Sequence, residues 1–132
     1  MKIHHLGIAV KSISIVSEIY RKMGYLTDSE LIEDNVRNIN IIFMSNNGMK
    51  IELIEKADYS LPSPIDCMLD KRTFHNMYHT CYEVENLNQE IEKLKSEHFI
   101  VVDNPASAMA FDGRKVCFLY NTNIGMIELL EV

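Results

Sequence analysis

"GMKIELIE" occupies residues 48–55 and "GMIELLE" occupies residues 125–131. A phrase written twice in 132 residues, each time with a glutamate set among Ile, Leu and Met, points to an internal duplication. Laying residues 3–26 over 77–100 puts His5 on His79, Val10 on Val84, Ile13 on Leu87 and Tyr25 on Phe99. With two extra residues in the second half, Glu52 falls on Glu128 and Leu53 on Leu129. Few identities survive, but the order of apolar, polar and turn residues is common to both halves.

Each half reads β-α-β-β-β. Residues 2–10 are β-branched and aliphatic, which suits a strand. In 14–23, Ile15, Ile19 and Met23 recur at four-residue spacing with Val16 beside them, which predicts a helix burying that face. Ser12 or Ser14 caps it and Gly24 stops it. Strands follow near 25–33, 38–45 and 49–56. The second half gives a strand at 77–84, a helix near 86–98 capped by Asn86 or Asn88, and strands near 99–103, 115–121 and 125–131. Between them, residues 57–76 carry Pro62 and Pro64 and read as a connector, with Pro64 opening a short helix through Leu69. The fold class is therefore α+β, one domain of two modules: 1–56, connector 57–76, and 77–132.

Composition narrows the function classes. Hydrophobic residues make up 47% and charged residues 24%, the balance of a folded globular chain. A net charge of -6 gives no general attraction for nucleic acid or anionic lipid. No apolar run reaches membrane-spanning length, and "MKIHHLGIAV" has no signal-peptide pattern, so a cytoplasmic protein is expected. Cys67, Cys81 and Cys117 form no paired motif and read as reduced thiols rather than nucleophiles or zinc ligands.

The chemistry lies where strand alternation goes against type. On the first strand Leu6, Ile8 and Val10 share one face, while His5 shares the other with Gly7 and Ala9, leaving space before an imidazole. Glu52 shares a face with Lys50 and Ile54, and Glu128 with Met126 and Leu130. A carboxylate in a central strand is costly unless a cation meets it. If the halves curl into one cup, His5, Glu52, His79 and Glu128 converge, and two imidazoles with two carboxylates suit one divalent ion. Zn, Ni, Co, Mn and Fe(II) all accept such donors. His4 points to the other face, and His75 and His98 read as solvent-exposed.

These residues resemble the vicinal oxygen chelate superfamily, which includes glyoxalase I, methylmalonyl-CoA epimerase, extradiol dioxygenases and bleomycin- and fosfomycin-resistance proteins. The resemblance covers essentially the whole chain. It rests on "HHLGIAV" (4–10), "IELIE" (51–55), "SPIDCMLDK" (63–71), "YHTCYEV" (78–84) and "KVCFLYN…GMIELLE" (115–131). It implies a U-shaped metal-binding cup, with His5, Glu52, His79 and Glu128 as ligands, open positions on the metal, and a homodimer. It also implies that Glu128, and Glu52 at the pseudo-symmetric position, move a proton α to a carbonyl held by the metal.

The epimerase branch fits best. Bacterial glyoxalase I carries an Arg where Ala9 stands and an Asn where Lys56 stands. Epimerases carry a second carboxylate on the strand that here reads "NINIIFM" (38–44), which offers only Asn38 and Asn40. The expected activity is a metal-dependent isomerase acting on a small carbonyl or thioester substrate. The alternatives are a glyoxalase I-like lyase, an extradiol-type dioxygenase, or a non-catalytic binding or resistance protein. Residues 104–116 are expected to form a loop over the cup, turning at Asp112-Gly113, with Arg114 holding a substrate carboxylate or phosphate. Lys71 and Arg72 are weaker candidates for a phosphate contact.

Overall fold

A computed structural model describes residues 1–69 and 76–132. Its mixed α+β fold has nine strands and few helices among the described residues. Two compact units make it up. One comprises His5–Tyr78, and the other comprises Met1–His4 with His79–Val132.

In the first unit the order is β1 (Lys2–Ala9), α1 (Ile13–Lys22), β2 (Leu26–Thr27), β3 (Ile32–Asp34), β4 (Ile39–Asn46), β5 (Met49–Lys56) and α2 (Asp66–Leu69). β4 and β5 form an antiparallel hairpin through Asn47-Gly48, both in the left-handed region at φ 48 and 83. β1 runs parallel to β5, with Gly7 opposite Glu52. α1 is the crossover between them. Ile8, Val10, Ile13, Met44, Ile51 and Leu53 form the core beneath the helix.

The expected run at 25–33 is split into β2 and β3. The Ser29 hydroxyl accepts from the Phe43 amide at 2.9 Å, and Ser45 Oγ donates to Asp28 at 2.9 Å. Side chains therefore take ladder positions, and the strand is interrupted there. The helix face also differs from the expectation. α1 begins at Ile13, with Ser12 accepting from the Ile15 amide, and its inward residues are Ile13, Val16, Ser17 and Tyr20. Ile15, Ile19 and Met23 are each more than half exposed. Ser12, one of the two expected caps, starts the helix at Ile13, but spacing alone permits either stripe, and it is the Ile13, Val16 and Tyr20 stripe that packs inward.

The second unit contains β6 (Met77–Val84, from His79 onward), α3 (Leu87–Ser96), β7 (Ile100–Ser107), β8 (Lys115–Asn121) and β9 (Gly125–Glu131). β6 runs parallel to β9, with Cys81 opposite Glu128, and β8 and β7 follow antiparallel. Asn86 caps α3 by accepting from the Gln89 amide at 3.0 Å. Val84, Leu87, Ile91, Leu94, Phe99, Cys117, Leu119, Ile127 and Leu129 form this unit's core.

The stretch 104–116 is not one loop. β7 runs on to Ser107 through two irregularities in its pairing, and a 3-10 turn covers Met109–Phe111. Only the Asp112-Gly113 turn, both residues in the left-handed region, keeps the expected form.

Candidate functional site

Each unit carries the same small construction. In the first, parallel pairing of β1 with β5 sets Glu52 across from Gly7, which shares a face of β1 with His5. His5 Nε2 lies 3.1 Å from Glu52 Oε2, with His5 0% and Glu52 4% exposed. Phe43, opposite Glu52 on β4, sets its ring edge-on to His5 with centroids 5.5 Å apart. In the second unit, His79 Nε2 lies 3.3 Å from Glu128 Oε2, again with both residues buried. Phe118 stands opposite Glu128 on β8 and edge-on to His79 at 5.2 Å.

Burying a carboxylate is costly unless positive charge meets it, and an ion shared with the adjacent imidazole is one way to supply that charge. A divalent ion satisfies both groups. Two donors each about 2.1 Å from one ion at an angle between 90° and tetrahedral sit about 3.0–3.4 Å apart. The separations of 3.1 and 3.3 Å match that spacing, which is also a hydrogen-bond distance. One imidazole nitrogen and one carboxylate oxygen per unit therefore suit a borderline divalent metal.

Other expected residues lie as follows. Arg114 is exposed, with its guanidinium 5.9 Å from the Phe111 ring centroid and Nε donating to the Phe111 carbonyl. Lys56 pairs with Asp66 at 2.9 Å, which commits its ammonium to the connector. Asn40 donates to Glu55, while Ile41 and Phe43 lie on the opposite face of β4, the face that meets Glu52. His98 ends α3 at φ 66 and is exposed, as expected. Lys71, Arg72 and His75 lie outside the described residues. Cys81 and Cys117 are buried, and burial pushes the Cys117 thiol up to about 11, far from nucleophilic use.

Sequence reading did not single out Phe43 and Phe118. Their signal is positional, since each is the strand neighbour of a repeated glutamate. It also passed over Glu83, two places beyond Cys81 on the His79 face of β6. Its carboxylate lies 3.9 Å from His4 and 4.0 Å from Lys2.

The glyoxalase/bleomycin resistance protein/dioxygenase superfamily matches residues 4–118. Mitochondrial methylmalonyl-CoA epimerase of Mus musculus is 26% identical over 130 residues, covering 97% of this chain and 71% of that protein. The crystal structure of methylmalonyl-CoA epimerase from Mycobacterium tuberculosis superposes with a TM-score of 0.80 at 22% identity, covering 98% of this chain and 87% of that one. A Streptomyces coelicolor methylmalonyl-CoA epimerase variant in complex with 2-nitronate-propionyl-CoA superposes with a TM-score of 0.81 at 16% identity, covering 99% and 96%. At these identities the structural likeness concerns the fold.

Proposed function

The chain belongs to the glyoxalase/bleomycin resistance protein/dioxygenase superfamily, and from that premise we propose that it is a divalent-metal-dependent epimerase. Its substrate is an acyl thioester of the methylmalonyl-CoA kind, and its reaction is proton transfer at the carbon α to the carbonyl. In this reading modules 1–56 and 77–132, joined by 57–76, act as one domain of a cytoplasmic homodimer. The observation that carries it is the recurrence of a buried His–Glu pair, 3.1 Å in one unit and 3.3 Å in the other, at matching strand positions.

In this reading His5, Glu52, His79 and Glu128 would together hold one divalent ion. When bound, that ion supplies Lewis acidity toward the substrate carbonyl oxygen. Glu128 takes the α-proton: the C–H bond breaks, its electron pair stays with the substrate, and the proton rests on a carboxylate oxygen. Glu52, at the pseudo-symmetric position, takes up a proton from solvent and delivers it to the opposite face, which inverts the carbon, while Glu128 returns its proton to solvent. Phe43 and Phe118 back the two histidines with apolar rings, keep water away and hold the imidazoles in place. Arg114 binds a carboxylate or phosphate of the substrate. A glutathione-dependent lyase is less well served, because Ala9 offers no cation and Lys56 is occupied by Asp66.

The test is solvent exchange. Wild-type protein loaded with Co, Ni, Zn or Mn should carry deuterium from D2O into C2 of methylmalonyl-CoA and interconvert its epimers. Glu128→Gln should slow this by about 10²–10⁴, the usual worth of acid–base catalysis. No exchange with any of these ions would sink the reading. Turnover of a methylglyoxal–glutathione adduct in place of the thioester would move it to the lyase class.

A further inference from the structure

The duplication provides an internal control for α1. Overlaying the modules places Ile13 on Leu87, Ser17 on Ile91 and Tyr20 on Leu94, and these positions are the inward faces of α1 and α3. The same overlay places Ile15 on Gln89, Ile19 on Lys93 and Met23 on Glu97, all of them exposed. Met49, where the second module has Gly125, continues the strip. It lies on the helix side of β5 and pairs with Asn46, whose side chain lies against Gly24 at the end of α1. The fold therefore tolerates polar residues at these positions, as the second module demonstrates. Yet the first module presents Ile15 at 64%, Ile19 at 53%, Met23 at 61% and Met49 at 48% exposure.

We propose that this strip on α1 and the β4–β5 turn is the surface through which two copies of the chain associate, as an antiparallel helix pair about a two-fold axis near Ile19. The proposal rests on the homodimer part of the functional reading and assigns it a face. Charge favours a second copy as the occupant. On the solvent side of the strip stand Glu18, which also pairs with Arg21 of its own helix at 2.9 Å, and Lys22, one turn from Glu18. An antiparallel two-fold pairing brings Glu18 of each copy toward Lys22 of the other, so the rim is complementary to itself. Area favours it as well. The four side chains expose about 400 Å² of apolar surface, and interfaces are about 57% apolar, so a patch built on them is about 700 Å² per copy. That is close to the roughly 800 Å² per partner of a standard stable interface.

The test is the association state of the full chain by sedimentation equilibrium across concentration. Wild type should dimerise, and Ile19→Lys should weaken the dimer by about 100-fold or more, the scale of an interface anchor. Lys93→Glu, the matching position of the second module, should leave it unchanged. Glu18→Lys or Lys22→Glu alone should weaken it by about tenfold, and the double reversal should restore it. Far-UV circular dichroism and metal content report whether Ile19→Lys remains folded.

A wild-type dimer indifferent to Ile19→Lys overturns the assignment while leaving the homodimer intact. A dimer that breaks with Ile19→Lys but is not restored by the double reversal overturns the two-fold pairing. A wild type that stays monomeric at about 100 μM, far above the range of stable association, overturns both the face and the homodimer, and leaves a foreign apolar partner as the occupant.

Discussion

Glu52 and Glu55 stand three positions apart on one strand and so face opposite sides of it. Glu52 turns to His5, and Glu55 turns to the helix, accepting from the Ile13 amide at 2.8 Å and from Asn40 at 3.2 Å. The second module repeats this, with Glu131 accepting from the Leu87 amide at 3.1 Å. The end of the repeated phrase is thus a helix cap, a negative group at the positive end of α1 and of α3. Two predictions separate the roles. Glu55→Ala and Glu131→Ala should each cost about 1 kcal/mol in urea denaturation, as lost caps do, and leave metal stoichiometry alone. Glu52→Ala should abolish metal uptake. Loss of metal in Glu55→Ala with unchanged stability would reverse the assignment. The sequence made the inward glutamates legible because they offend the apolar pattern. The caps were not legible, because their partners lie more than forty residues away along the chain.

At the scale of elements, the connector shows the same limit. Its prolines and turn residues mark it as irregular, but not what fixes it. Asn38, at φ 58, donates to the carbonyls of Asp58 at 2.8 Å and of Leu61 and Pro62 at 3.2 Å, and accepts from the Asp58 amide. Further along, Asp66 accepts from the Ser63 amide and hydroxyl and from Lys56. Hydrogen bonds from Ser63, with Lys56 second, hold the Asp66 carboxyl down at about 2, against 3.8 unperturbed. A depressed carboxylate stabilises the folded state above its unfolded value, and this stabilisation disappears as pH falls through the folded value. The latch should therefore be whole at pH 5 and open only as pH drops through about 2. The Ser63 amide resonance, followed by NMR during an acid titration, should report a midpoint near there, and Asp66→Asn should erase the step. A midpoint at 3.8 would mean that Asp66 is not held as described. The split of 25–33 and the turned face of α1 escaped the sequence for a related reason. Ser29 and Asp28 decide the first through single side-chain bonds, to which apolar periodicity is blind, and the second turns on which of two stripes of like spacing meets the sheet.

For the whole molecule, the duplication is the feature the sequence made plainest, and it leads to a thermodynamic claim. In the proposed centre neither His–Glu pair supplies four ligands alone, so a single ion held there would draw on both modules. An ion that binds the folded chain and not the unfolded one stabilises it by about 2.7 kcal/mol at a hundredfold excess over its dissociation constant. For a chain of this size that corresponds to roughly 10 °C in melting temperature. Chelation should lower the melting temperature of metal-loaded wild type by about that amount, and restoring a single equivalent of ion should recover it. Sharing predicts the response of the variants. If one ion uses His5, Glu52, His79 and Glu128 together, Glu52→Ala and Glu128→Ala should each abolish the whole chelation-sensitive increment. If instead each unit held its own ion, each variant would remove about half, and wild type would take up two equivalents. Calorimetric melting of the chelated and loaded forms of these three proteins distinguishes the cases. A half-sized loss in each variant would leave the buried pairs in place and refute the single centre on which the proposed proton transfer depends.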